Sequence, residues 1–199
     1  MGSLEPAGAR MSRVYLIRHA RPSAGWGGDD DDPGLDAIGL AQAEAAAKAL
    51  LAEPGAQRPT RVVSSPLRRC RETAAPFAAA IGAEVEIDPA VGEIPTPAAL
   101  SPDARGPWLR QAFGGTWGEI KGDLDYEAWR GRVLAAVAAR PGAAVFSHFV
   151  AINAVVTALA GQAQVIAFRP DHCSISAFEL TDGRLRLVAR GPEAATQVL

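Results

Sequence analysis

Two short apolar runs in this chain each end on a histidine, and that repetition constrains the fold more than any other feature. Val14-Tyr15-Leu16-Ile17 leads into Arg18-His19, and Ala143-Ala144-Val145-Phe146-Ser147 leads into His148. Continuous apolar runs of this length predict strands buried on both faces, the kind that build parallel sheets. The chain has three histidines, so two in equivalent settings point to one site assembled at strand ends. An arginine beside one of them suits a site that takes a phosphoryl group onto an imidazole.

The rest of the chain alternates in a way that predicts an α/β fold. Strands are expected at Arg13 to Ile17, Arg61 to Ser64, Glu84 to Ile87 and Ala143 to Ser147, with a hairpin at Ser174 to Leu180 and Arg184 to Val188 turning on Asp182-Gly183. Asp36 caps an alanine-rich helix over Ala37 to Leu51, with Leu35 as its staple. Ser65-Pro66 reads as an N-cap and first-turn proline opening a helix through Ala80, with Pro76 kinking or locally breaking it. Helices over Tyr126 to Ala139 and Val150 to Ala160 end at Pro141-Gly142 and Gly161. Between Ile94 and Asp125 the periodicity fades, and this stretch reads as an insertion over the sheet. The expected organisation is a loose tail at 1–12 and one domain over 13–199, with the insertion at about 94–125.

Composition closes off several classes. The 199 residues are 48% hydrophobic and carry a formal net charge of −2, which gives no electrostatic case for nucleic acid. No apolar run approaches the roughly 18 residues that span a bilayer. The first ten residues lack the apolar core of a secretory signal. Cys70 and Cys173 form neither a disulfide framework nor a zinc spacing, so a reduced, cytoplasmic setting is expected. The Asp29 to Asp32 run reads as a solvated loop rather than a cation cage.

Five segments occur in an order that resembles the histidine phosphatase superfamily, the phosphoglycerate mutase-like fold. Arg18-His19-Ala20 is similar to its Arg-His-Gly signature. Leu35-Asp36-Ala37-Ile38-Gly39-Leu40-Ala41-Gln42-Ala43 resembles its first helix, and Ser65-Pro66-Leu67-Arg68-Arg69-Cys70-Arg71-Glu72-Thr73-Ala74 its second. Asp88-Pro89-Ala90-Val91-Gly92-Glu93 resembles the segment ending in its catalytic acid, and Ser147-His148-Phe149 its Ser-His-Gly strand end. The resemblance implies a three-layer α/β/α sandwich with a mostly parallel central sheet and a short insertion over the active site. It implies His19 as a phosphoryl-accepting nucleophile, Glu93 as proton donor, and Arg18, Arg69 and His148 as the groups that bind the phosphoryl oxygens.

The chemistry explains why these residue types travel together. A phosphoryl group in transfer spreads negative charge over three oxygens, so catalysis is mainly positioning and charge stabilisation. Arginine offers a fixed fork of donors that stays charged. A neutral imidazole has a lone pair to attack phosphorus, provided that its other nitrogen donates, as to a backbone carbonyl. A carboxylic acid can protonate the leaving oxygen and then activate water. The implied activity is a metal-independent phosphomonoester hydrolase with no cofactor, acting on a small phosphorylated substrate.

The sequence departs from the family pattern at Ala20 and Phe149, which stand where glycines are usual, and at Pro22, where a small polar residue often helps to hold phosphate. Arg21, Ser23, Phe149 and Trp117 are candidates for the substrate pocket, and Trp108 and the Asp171-His172 pair are weaker ones. The alternatives are a mutase, which needs surplus basic residues for a second anionic group, and a phosphate-binding module without turnover. In and beside the insertion, Arg105, Arg110, Lys121 and Arg130 face a comparable number of acids, which favours hydrolysis. A cysteine phosphatase would place an arginine six residues after its nucleophile, where Cys70 has Pro76 and Cys173 has Glu179. Apolar residues near the last strand could mediate a homodimer.

Overall fold

A computed structural model describes residues 11–24 and 32–195. It contains a six-stranded sheet of order β3-β2-β4-β1-β5-β6. The strands are β1 (Ser12–Arg18), β2 (Arg61–Ser64), β3 (Val85–Ile87), β4 (Ala143–Ser147), β5 (Ile175–Thr181) and β6 (Arg184–Ala189). The first four pair in parallel, and β5 joins β1 antiparallel with Ile17 opposite Ile175. The helices are α1 (Ala37–Leu51), α2 (Arg68–Ile81), α3 (Pro102–Gly114), α4 (Tyr126–Ala138) and α5 (Phe149–Leu159).

Alternation along each strand sends successive side chains to opposite faces. Tyr15 and Ile17 of β1, Val62 of β2 and Phe146 of β4 form one core with Leu50 of α1 and Phe77 of α2. Val14, Leu16, Val63 and Val145 form the other with Val133 and Val137 of α4 and Ile152 and Val156 of α5. Apolar side chains on both faces account for the unbroken hydrophobic runs, and the result is the three-layer sandwich expected from the sequence.

Several local details differ from expectation. The second helix begins at Arg68, with Leu67 as its cap residue; the Ser65 hydroxyl accepts the Leu67 N–H at 3.4 Å and also meets His148 Nε2 at 2.7 Å. Asp32 supplies the cap from a distance, its Oδ1 accepting the Arg68 N–H at 2.8 Å. The same helix runs unbroken through Pro76, held on either side by buried Thr73, Ala74, Phe77 and Ala78, and stops at Gly82 in the left-handed region (φ 63°). The fading stretch at 94–125 holds a 13-residue helix, α3, with Pro102 in its first turn and Leu109 and Ala112 buried. The hairpin turns on Asp182-Gly183 as expected, with positive φ at both residues, as a primed turn requires. The expected tail at 1–12 and Asp29 to Asp31 of the acidic run lie largely or wholly outside the described residues. Among those described, no helix is long and apolar enough to cross a membrane.

Candidate active site

The carboxyl ends of β1, β2 and β4 lie together, and backbone hydrogen bonds carry the alignment past the strands. The His19 N–H donates to the Ser147 carbonyl at 2.9 Å, and the Ser65 N–H to that of Phe146 at 3.0 Å. Open α/β sheets bind ligands beyond this edge. Glu93 follows a 3-10 turn at Pro89–Val91 that Asp88 caps through Ala90. Ser147 Oγ donates to the Val91 carbonyl at 2.7 Å, which fastens this turn to the end of β4.

His19 is 5% exposed. Its Nδ1 lies 2.8 Å from the Ala20 carbonyl, and a carbonyl can only accept, so the proton is on Nδ1 and the lone pair on Nε2. Burial, then the neighbouring His148 and the charges of Arg18 and Arg69, hold the ring well below the ordinary histidine range. The imidazole is therefore neutral at neutral pH, with its lone pair on Nε2. The peptide beneath it is anchored: the Ala20 N–H donates to Thr73 Oγ1 at 2.9 Å, and that hydroxyl donates to the Arg69 carbonyl at 2.6 Å.

Around His19 stand the four other groups singled out from the sequence. The His148 ring centroid is 5.4 Å away. His148 is fully buried, with Nε2 2.7 Å from Ser65 Oγ and Nδ1 3.4 Å from both Glu93 Oε2 and Arg69 Nη2. Burial, with help from Arg69 and Arg18, also depresses its pKa. Arg69 Nη2 lies 3.8 Å from Glu93 Oε2. Burial raises the Glu93 pKa, with Arg69 pulling the other way, so its acid form persists to higher pH than usual. Arg18 donates from Nη1 to the Pro170 carbonyl at 3.0 Å, and its buried Nε has no hydrogen-bond partner among the described residues. Burial lowers its pKa to about 10, which leaves it charged at neutral pH.

The pocket candidates fare differently. Phe149 is buried with its ring 5.4 Å beneath the Arg18 guanidinium, so it props a cation and does not face an opening. Trp117 is also not a pocket residue. It is 1% exposed, donates Nε1–H to Thr157 Oγ1 at 2.9 Å and packs against Trp129, because the insertion folds its aromatic face into the core. Trp108 instead borders a cavity of about 600 Å³ within the insertion, shared with Gln111, Thr116 and Lys121 and apart from the histidines. Arg21 is committed to Asp36 by an ion pair of 2.7 Å at the cap of α1. Ser23 is exposed, its N–H bonded to the Gly34 carbonyl.

Two contributors were underweighted by sequence reasoning. His172 sits with its ring centroid 5.8 Å from that of His19. Arg105 of α3 exerts its charge on Glu93 and His148, from a segment whose basic and acidic residues looked balanced. His172 was only a weaker candidate in the sequence, and the pairing of the hairpin strand with β1 is what brings it here. Among the described residues, no group of three or more His, Cys, Asp or Glu side chains could hold a metal ion.

Comparison with known proteins gives a consistent picture. The family model of the histidine phosphatase superfamily (branch 1) matches residues 14–191. No curated protein sequence matches. Among solved structures, a mycobacterial glucosyl-3-phosphoglycerate phosphatase superposes with a TM-score of 0.67 at 23% identity, over 89% of this chain and 97% of that one. A phosphoserine phosphatase from Entamoeba histolytica, in complex with 3-phosphoglyceric acid, superposes with a TM-score of 0.70 at 18% identity, over 90% of this chain and 96% of that one.

Proposed function

The chain belongs to the histidine phosphatase superfamily (branch 1), and on that premise we propose that it hydrolyses a small phosphomonoester through a phosphohistidine on His19. The observation that carries the proposal is the fixed tautomer of His19. Its Nδ1–H is spent on the Ala20 carbonyl, which leaves Nε2 as an uncharged nucleophile in a pocket of cations.

In the first step the Nε2 lone pair attacks phosphorus, the bond to the ester oxygen breaks, and Glu93 gives its proton to the departing alkoxide. The raised Glu93 pKa keeps that proton available. Arg18, Arg69 and His148 hold the three non-bridging oxygens as charge builds on them. In the second step Glu93, now a carboxylate, takes a proton from water as the water oxygen attacks phosphorus, and the P–N bond breaks to release phosphate. The charge stabilisation comes from arginines, and on this reading activity survives a chelator. The free thiols of Cys70 and Cys173 fit the reducing interior of the cell, where such substrates are found.

The test is a phosphoester panel without added metal, followed by intact-mass detection of a quenched sample. Turnover with one added phosphoryl group that is absent in His19→Ala supports the proposal. Undiminished turnover in His19→Ala overturns it.

A further inference from the structure

Three imidazoles converge at the end of β1, and the third lies outside the segments that place the other two. His172 lies in the connection between α5 and β5. Because the sheet order runs β4-β1-β5, His148 reaches His19 from one flank of β1 and His172 from the other. The connection is fastened to Arg18 three times. The Arg18 N–H donates to the Ser174 carbonyl at 3.1 Å, the Cys173 N–H to the Arg18 carbonyl at 3.1 Å, and Arg18 Nη1 to the Pro170 carbonyl at 3.0 Å. Cys173 adopts a left-handed backbone (φ 56°), a costly conformation for a residue other than glycine, and one that persists only where its surroundings impose it.

The His172 side chain is 23% exposed, against 0% for His148. Glu93, Arg69 and His148 are 6%, 10% and 0% exposed, so His172 is the more accessible of the two rings beside His19 and the better placed to meet a part of the substrate that stays near solvent. Its Nδ1 is 3.9 Å from Asp171 Oδ1, too far for a hydrogen bond. Burial and the nearby Arg18 charge lower its pKa to about 4, so at neutral pH it presents one donor and one acceptor and no charge. That pairing complements a hydroxyl, which also donates once and accepts.

We infer that His172 is a specificity-determining residue for the hydrolysis proposed above: it hydrogen-bonds a hydroxyl on the alcohol portion of the substrate and so favours phosphate esters of polyols or sugars over esters of unsubstituted alcohols. The inference rests on that proposed reaction. It assigns His172 no part in phosphoryl transfer itself.

The experiment compares kcat/KM of the full chain for glycerol phosphate and glucose 6-phosphate with that for ethyl phosphate, in the wild type and in His172→Phe, which keeps a ring of similar size without its polar atoms. The expected result is a loss of about tenfold on the better hydroxylated ester with ethyl phosphate nearly unchanged, the scale of one neutral hydrogen bond. Equal losses on both kinds of ester, or none on the hydroxylated one, overturn the inference while leaving the phosphatase reading intact. A wild type that hydrolyses none of the three, or a His19→Ala variant as active as the wild type, removes the reaction itself and the inference with it.

Discussion

Thr73 Oγ1 accepts the Ala20 N–H at 2.9 Å, so a side chain from α2 fixes the peptide whose carbonyl orients the His19 ring. The same hydroxyl donates to the Arg69 carbonyl, one turn back on the helix. Thr73→Val keeps the shape and removes both bonds. It is expected to lower kcat by about tenfold or more through loss of alignment and stability by about 1–3 kcal/mol through an unsatisfied buried amide. Thr73→Ser should recover most of both. Steady-state kinetics and urea unfolding measure the two effects.

Glu93 has two duties in the proposed cycle, and they respond differently to the leaving group. p-Nitrophenolate needs little protonation to depart, whereas a sugar alkoxide needs much. Glu93→Gln should therefore slow an alkyl ester by about 10²–10⁴ at the first step. With p-nitrophenyl phosphate the first step survives and water activation fails. Phosphoenzyme should then accumulate, seen as a persistent added mass on the variant and little on the wild type.

The buried rings make folding sensitive to acid. His19 and His148 titrate well below the ordinary 6.5, and His172 near 4. As pH falls through 6.5 the unfolded chain takes up protons that the native rings refuse, so stability present at neutral pH is lost at about 1.4 kcal/mol per pH unit for each such ring. Glu93 acts in the opposite sense, because its raised pKa lets the native state hold a proton that the unfolded state has released above 4.5. Three rings outweigh one carboxyl. The urea midpoint should drop between pH 7 and pH 5, and His148→Asn should flatten that slope.

Phe149 occupies a glycine position of the family pattern, and it has been put to use beneath Arg18 and against Phe113, whose ring lies 5.5 Å away. Phe149→Leu retains most of the volume and loses the π face. A cost of about 1 kcal/mol in stability and a raised inhibition constant for inorganic phosphate are expected, the second because Arg18 is less firmly held. Inhibition kinetics and denaturant unfolding check them separately.

Much of the layout was legible because physics writes it locally. Val14 to Ile17 and Ala143 to Ser147 had to be doubly buried strands, and their ends brought His19 and His148 together with no knowledge of the turns between. Asp36 announced α1 through a short-range bond to the Gly39 N–H. What escaped notice depended on distant partners. Ser65 looked like the cap of a helix that starts further on, at Arg68, and its contact with His148 comes from far along the chain. Trp117 looked available until Thr157 and Trp129 enclosed it. Two prolines and a small buried stripe obscured α3. His172 stood only as a weaker candidate, because its place beside His19 follows from the pairing of β5 with β1, which no nearby residue specifies.

That antiparallel β5 separates two design problems that a wholly parallel sheet would merge. Its register against β1, from Ser12 opposite Leu180 to Ile17 opposite Ile175, is fixed by paired backbone and not by the chain that leads into it. The part of the α5–β5 connection that precedes Pro170 can therefore change length or composition while the strand stays in place. A protein engineer could graft that part from one relative into another as a cassette, and keep residues 170–174, whose backbone holds Arg18.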